Sequence, residues 1–156
     1  MQRGSAFDCC LRVLALRDHA EAELRRKLER KGYQEEEVEA SVVRLKELGY
    51  LDDLRFARAF AASQLRNGKG YGVRLKMELA RRGVAAAIVD EVLSELAQEY
   101  GESDLLAQVM ERRYASFDPT TATDKEKRKV IGYLQRKGFS LSAIFKKLDG
   151  HGCCDE

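Results

Sequence analysis

The chain has 156 residues, of which 44% are apolar and 35% charged, and its formal net charge is +2. With one proline and no tryptophan, this composition excludes a disordered chain and favours a helix-rich fold with a heavily charged surface. No run approaches the roughly 20 apolar residues that cross a bilayer, and residues 1–7 lack the apolar stretch of a secretion signal. We therefore expect a cytoplasmic protein without a membrane partner.

Apolar residues at helical spacing, interrupted by glycine, predict nine helices and no strands. The predicted helices span residues 8–17, 21–31, 35–48, 53–66, 72–82, 86–98, 103–114, 124–137 and 141–148. Gly32, Gly49, Gly83 and Gly138 each follow a helical stretch and precede an apolar residue, which is typical of a left-handed C-terminal cap. At the helix starts we expect caps from Asp52 or Asp53, from Ser103, and from Thr123 or Asp124.

A short phrase recurs along these helices as LERKG at residues 28–32, LARRG at 79–83 and LQRKG at 134–138. Equivalent apolar positions surround the copies: Leu24, Leu75 and Val130 before them, Tyr33, Val84 and Phe139 directly after, then Val38, Ile88 and Ile144. Repeats of this length are typical of helical repeat proteins, whose units bury an apolar face only by stacking on a neighbour. Chains of this kind usually bind elongated partners.

The helices group into three tandem three-helix repeats. We predict repeats at residues 1–51, 52–101 and 102–150, followed by a flexible tail at 151–156, and an all-α, elongated array. The phrase closes the middle helix of each repeat. The most loop-like segment, SFDPTTATD at 116–124, is predicted to form an elbow within the third repeat.

Charge is segregated along the chain, although the net charge is small. Acidic residues cluster at 33–53 and 85–111, whereas residues 64–82 and 125–148 are strongly basic. Lys and Arg on one helix face attract phosphates regardless of base sequence, although such faces are also commonly just solvated. Our candidates for contact with a partner or with nucleic acid are Arg66, Lys69, Arg74, Lys76, Arg81, Arg82, Lys125, Lys127, Arg128, Lys129, Arg136 and Lys137.

Two further features bear on these basic segments. The loop GKGYG at 68–72 matches neither nucleotide-binding motif, so it is either a plain turn or a mobile contact carrying Lys69. Tyr71 and Tyr133 either stack on bases or belong to the core and its rim.

An enzyme would need convergent polar groups, and the sequence supplies few of them. His19 lies at a helix junction, where a capping or surface-exposed role is favoured over catalysis. A metal site built from Cys9, Cys10, His151, Cys153 and Cys154 lacks the two-residue gap of zinc knuckles, so we expect free thiols, with Cys9 and Cys10 packed in the first helix. We predict no catalytic activity, no metal and no cofactor.

The motif GYLDD followed by RFA at 49–57, together with ELRRKLERKGY at 23–33 and KGF at 137–139, resembles the RecX regulatory proteins of bacteria over residues 11–148. The resemblance implies a curved array of three-helix repeats that lodges in the groove of the RecA recombinase filament on DNA. It further implies that the protein modulates, and usually restrains, ATP hydrolysis, strand exchange and filament growth. Where such proteins often open the second helix with serine or threonine, this chain has Ala20, so the cap is lost or shifted to Asp18.

Two functional hypotheses follow. The first is a non-enzymatic regulator, monomeric when free, whose partners are the RecA filament and, by direct contact, single-stranded DNA. The second is a stand-alone nucleic-acid-binding helical module that needs no protein partner. The acidic segment at 85–111 favours the first hypothesis because it would repel DNA.

Overall fold

A computed structural model of the chain describes residues 4–150, which form nine α-helices and no strand. The helices are α1 (Ala6–Leu16), α2 (Glu21–Arg30), α3 (Glu35–Glu47), α4 (Asp53–Arg66), α5 (Gly72–Arg81), α6 (Ala86–Glu99), α7 (Glu102–Arg113), α8 (Asp124–Arg136) and α9 (Leu141–Asp149). The all-α prediction is confirmed, and the predicted helix bounds deviate most at α1, which begins at Ala6 instead of residue 8. The predicted tail, with His151, Cys153 and Cys154, lies outside the described residues.

The repeated phrase ends α2, α5 and α8 in the same way. In the first copy the Tyr33 N–H donates to the Leu28 carbonyl at 3.2 Å and the Gly32 N–H donates to the Glu29 carbonyl at 2.9 Å. These paired bonds define a Schellman cap, which requires a left-handed residue at the glycine. The same pattern recurs around Gly83 and Gly138, whose φ angles are 81° and 101°. The predicted glycine stops are therefore confirmed.

The described residues pack into two compact units. The first comprises residues 4–60 together with Glu78–Val92. Its α1 packs on α2 and α3 around a core of Cys9, Cys10, Val13, Leu24, Leu28, Val38, Val42, Leu45 and Leu51. Burial raises the pKa of the Cys10 thiol to about 11, so this side chain behaves as a small apolar group. The expected packing of Cys9 and Cys10 in the first helix is confirmed.

One core position was assigned wrongly from the sequence. The sequence predicts Ile88 as the equivalent of Val38 and Ile144, but Val89 is the residue buried there, with 1% of its surface exposed. Val89 lies six residues after the phrase glycine, as do Val38 and Ile144. Ile88 precedes it by one position and is only partly buried, because neighbouring residues point about 100° apart on a helix.

The second unit comprises Ala61–Met77 together with residues 93–150. Its α9 packs on α7 and α8 around Leu65, Leu105, Leu106, Val109, Val130, Leu134, Phe139 and Ile144. The Tyr71 ring stacks on Phe139 with centroids 5.1 Å apart, and the Tyr71 N–H donates to the Lys137 carbonyl at 2.7 Å. The turn before α5 is thereby fixed to the turn after α8.

Helix starts follow the predicted caps in part. Asp52 caps α4 by accepting from the Arg55 N–H at 3.1 Å, and Thr123 caps α8 in a reciprocal box with Glu126. The expected Ser103 cap is wrong, because α7 begins at Glu102 after Gly101, which offers no side chain.

The start of α2 is satisfied from a distant part of the chain. Ala20 carries no side-chain acceptor, but Asp53 Oδ1 accepts the Glu21 N–H at 2.8 Å. Burial raises the pKa of Asp53 above its usual range, and this bond only partly offsets the effect. The second aspartate of GYLDD therefore ties the first residue of α4 to the first residue of α2.

None of the helices within residues 4–150 is both long and apolar enough to span a bilayer.

Candidate nucleic-acid interface

A groove with a volume of about 620 Å³ opens on the first unit, beside α2 and the end of α5. We call it the basic groove. Its lining residues are Arg17, His19, Glu23, Arg26, Lys27, Glu29, Arg30, Glu78, Arg81 and Arg82. Six of them are cationic, three are carboxylates and none is apolar, so a net positive charge is concentrated at one place on the first unit.

Glu23 connects the two sides of this groove. Its Oε2 accepts the Ala20 N–H at 3.1 Å and forms an ion pair with Arg17 at 3.5 Å, while its Oε1 accepts from Arg82 Nη1 at 2.9 Å. Burial by itself raises the pKa of Glu23, but these donors outweigh it and leave the pKa below the ordinary range. Glu23 therefore stays ionised, supplies half of a capping box and holds α2 to the residue that follows α5.

Arg82 is a structural member of the groove wall. Its guanidinium lies 4.4 Å from the ring centroid of Phe60, and 30% of its side chain is exposed. Its Nε is buried and has no hydrogen-bond partner within residues 4–150. The cation–π contact and the Glu23 ion pair fix the side chain, which leaves it little freedom to follow a ligand.

Arg26 and Arg30 line the groove from α2. Arg26 Nε donates to the Ala22 carbonyl at 3.2 Å, and its Nη2 donates to the Arg81 carbonyl at 3.3 Å. Arg30 Nε donates to the Arg26 carbonyl at 3.3 Å. Both guanidiniums are thus oriented by backbone oxygens while their side chains remain exposed.

His19 agrees with its prediction only in part. Of its two predicted roles, surface exposure is wrong, because only 5% of its surface is exposed. Its Nδ1 lies 3.0 Å from the carbonyl of Arg17, the residue that follows α1, as a capping role requires. Burial lowers the pKa of His19 below its usual value, so the ring is mainly neutral at physiological pH. His19 is therefore buried at the junction between α1 and α2, which the flanking polar sequence does not reveal.

The predicted basic residues fall in both units. Arg81 and Arg82 line the basic groove, whereas the others belong to the second unit. Arg66, Lys69, Arg74, Lys76, Lys125, Arg128, Lys129 and Arg136 are exposed, and Lys127 and Lys137 are half-buried. Their contact with a partner stays a prediction.

The tyrosines and the glycine-rich loop are largely structural. Tyr71 stacks on Phe139, and Tyr133 packs edge-on against Tyr114 with centroids 5.6 Å apart. Gly68 is left-handed and ends α4, and the Lys69 N–H donates to the Gln64 carbonyl at 2.9 Å. The loop therefore begins as a helix cap, with the Lys69 side chain exposed.

Sequence reasoning missed the groove residues Arg17, Arg26, Lys27 and Arg30. A signal for them existed, because ELRRKLERKG is the first copy of the repeat that carries Arg81 and Arg136. Arg30 occupies the same position of the phrase as those two residues. The positive charge of this first copy is less evident in the sequence, because an acidic stretch begins directly after it at Glu35.

Across residues 4–150, no three His, Cys, Asp or Glu side chains come together as a metal ion would require.

Three family models match the chain in tandem. They describe the first, second and third three-helix domains of RecX and match residues 6–45, 52–93 and 101–148. The matches confirm that the nine described helices form three tandem three-helix domains. The finer boundaries that we predicted between repeats stay predictions.

Individual relatives agree with this assignment. A protein named Regulatory protein RecX from Trichlorobacter lovleyi is 41% identical over 143 residues, which cover 92% of this chain and 93% of that protein. A protein of the same name from Syntrophotalea carbinolica is 33% identical over 144 residues, which cover 92% of this chain and 94% of that protein. The crystal structure of RecX from Lactobacillus salivarius has the same fold, with a TM-score of 0.70 at 20% identity over 92% of this chain and 94% of that one. The chain therefore belongs to the RecX family of regulatory proteins.

Proposed function

We propose that this protein binds the RecA recombinase filament on DNA in the cytoplasm and restrains its ATP hydrolysis, strand exchange and growth, without catalytic activity of its own. Membership of a family of regulatory proteins supports the proposal most directly. The exposed basic side chains of both units support it further, because a filament on DNA presents phosphates along its whole length.

The separation of basic and acidic residues suggests that different surfaces of this protein contact DNA and RecA. Basic side chains of the groove, α5 and α8 would lie toward the nucleic acid. The carboxylates of α6 and the start of α7, which include Glu91, Glu99 and Glu102, would be repelled by DNA and suit contact with protein instead. Segregation of this kind fits a target in which protein and DNA lie side by side.

The proposal predicts a loss of DNA-dependent ATP hydrolysis when this protein is titrated into RecA assembled on single-stranded DNA. The double variant Arg81→Glu/Lys129→Glu should need about ten-fold more protein for the same restraint, because two exposed cations are reversed. Arg82 is left intact because it holds Glu23.

A charge-matched control is available on the first unit. The double variant Arg12→Glu/Lys31→Glu changes the charge equally at exposed residues outside the candidate set. It should restrain hydrolysis as the wild type does. An unchanged hydrolysis rate at saturating amounts of folded wild-type protein would contradict the proposed function.

The basic groove also favours a second candidate, a stand-alone nucleic-acid-binding module. Binding carried by phosphates alone weakens steeply with salt, with a slope of about −0.7 per contact on single strands. A stand-alone module would therefore show the same affinity and the same salt slope with and without RecA. Tighter and less salt-sensitive binding to the RecA-coated strand is the result expected of the regulator.

A further inference from the structure

We propose that the basic groove of the first unit is a phosphate-binding site that holds the backbone of a nucleic-acid strand through Arg26, Lys27 and Arg30 of α2. The inference deepens the proposed function and rests on it for the identity of the strand, namely the DNA within the filament. It adds the first repeat to a contact surface that the sequence assigned only to the second and third repeats.

The composition of the lining distinguishes a polyanion from a protein surface. Cores of protein–protein interfaces are depleted in charge and rely on aromatic and aliphatic anchors. All ten residues that line the groove are charged or histidine. A protein partner would find no apolar pocket there, whereas a phosphodiester backbone needs only cationic donors.

The balance of charge inside the groove leaves the α2 cations available. Glu23 is already engaged by Arg17 and Arg82, and Glu78 lies 3.7 Å from Arg81. The third lining carboxylate, Glu29, forms no ion pair among those found within residues 4–150. The same holds for Arg26, Lys27 and Arg30, so no carboxylate neutralises the three α2 cations. Six cations against three carboxylates give the lining a formal charge of +3.

The arginines of the groove are arranged before any ligand arrives. Arg26 spans from α2 to the last residue of α5, because its Nε and Nη2 donate to carbonyls of Ala22 and Arg81. A guanidinium has five N–H donors, so those that remain can bind phosphate oxygens in the same planar fork. Orientation by the backbone lowers the conformational entropy that binding would otherwise cost.

Base recognition is not expected at this site. The lining contains no phenylalanine, tyrosine or tryptophan, which are the usual stacking platforms for unpaired bases. The groove should therefore bind strands of different sequence with similar affinity.

The test uses the full chain and a fluorescein-labelled (dT)20 strand, with affinity measured by anisotropy from 50 mM salt to 1 M salt. The triple variant Arg26→Gln/Lys27→Gln/Arg30→Gln should bind about a hundred-fold more weakly at 50 mM salt, because three phosphate contacts are lost. Its salt slope should be shallower by about 2, at about 0.7 per contact. The control Arg12→Gln/Lys31→Gln/Arg55→Gln removes three exposed cations of the first unit that do not line the groove, so it accounts for loss of charge alone. Single variants of Arg26, Lys27 and Arg30 are measured alongside it.

Circular dichroism establishes whether each variant is folded. If the triple variant is unfolded, the salt slopes of the three single variants are compared with that of the wild type instead. Equal affinity and equal slope for the triple variant and the control would overturn the inference. Poly-glutamate competing as well as unlabelled (dT)20 would also overturn it, in favour of an acidic protein. Tripolyphosphate binding without strand binding would assign the groove to free phosphates and overturn the nucleic-acid source.

A parallel RecA ATPase assay separates this inference from the proposed function. If the triple variant restrains ATP hydrolysis as strongly as the wild type, the groove does not bind the DNA of the filament, and the proposed regulation of RecA is unaffected. If wild-type protein shows no restraint but the groove variant loses strand binding, the groove is supported and the proposed regulation is contradicted.

Discussion

Replacing Gly138 with alanine is expected to lower the free energy of unfolding by about 2–4 kcal/mol. The residue has φ of 101°, where a side chain is disfavoured by about 1 kcal/mol or more. An added methyl group would also collide with the backbone carbonyl of Tyr71 and press on Arg74 Cβ. Because Tyr71 donates to the neighbouring Lys137 carbonyl at 2.7 Å, the two turns cannot separate without losing that bond, which adds a packing penalty of about 1–3 kcal/mol.

Gly49 provides a matched control. It ends α3 in the same left-handed conformation, with φ of 76°, but an added methyl group would meet no atom within 4 Å. Gly49→Ala should therefore cost only about 1 kcal/mol, from the backbone conformation alone. Urea unfolding of both variants, followed by circular dichroism, measures the difference. Equal losses for the two variants would show that the turns around Tyr71 and Gly138 are not packed as described.

The second large effect is expected at Glu23. Glu23→Ala removes the acceptor of the Ala20 N–H and leaves the Arg82 guanidinium in a partly buried place without its carboxylate. Only 15% of the Glu23 side chain is exposed. Loss of a partner at such a site costs more than the bond contributes, and we expect the free energy of unfolding to fall by about 2–3 kcal/mol.

Glu39 is the comparison for this variant. Its Oε2 lies 2.6 Å from Arg25 Nη1, which is a shorter separation than that between Glu23 and Arg82. However, 56% of the Glu39 side chain is exposed, so Glu39→Ala should cost less than about 1 kcal/mol. Thermal unfolding of Glu23→Ala and Glu39→Ala compares the stability lost at the buried ion pair with that lost at the exposed one. A larger loss at Glu39 would refute the role assigned to Glu23.

The pH dependence gives Glu23 a second signature. A carboxylate whose folded pKa is depressed stabilises the fold above its unfolded pKa of about 4.3, and this contribution is lost as the pH falls through the folded pKa. The difference between wild type and Glu23→Ala should therefore be full at neutral pH and shrink in acid. A difference that stayed constant through the acid range would contradict the ionised network.

Local patterns account for what the sequence predicted well. Helix stops depend on a glycine and the next apolar residue, and both lie within one turn of the last helical residue. That is why the ends at Gly32, Gly83 and Gly138 were predicted closely. Thr123 and Glu126 are likewise three residues apart and form their cap without help from the rest of the chain.

Features that depend on distant residues escaped prediction. Asp53 accepts the Glu21 N–H from 32 positions away, and no residue near Ala20 signals this contribution to the start of α2. Its charge alone predicts Arg82 as a contact residue, yet Glu23 and Phe60 bind its guanidinium within the first unit. The burial of His19 similarly follows from the packing of its neighbours and leaves no local pattern.

The basic groove combines both kinds of information. Arg30 and Arg81 hold the same position in the repeated phrase, so their equivalence can be seen in the sequence. That their side chains line one groove depends on how α2 and the end of α5 pack, which requires the structure. Repeat alignment before charge counting would have identified the first-repeat cations as candidates.

Co-sedimentation with RecA assembled on single-stranded DNA, compared with the same DNA alone, tests the central claim most directly. We expect this protein to pellet with the RecA-coated strand at a salt concentration that removes it from bare DNA, because protein contacts supplement the phosphate contacts. Equal recovery on the two targets across the whole salt range would contradict regulation through the filament and assign the chain to nucleic acid alone.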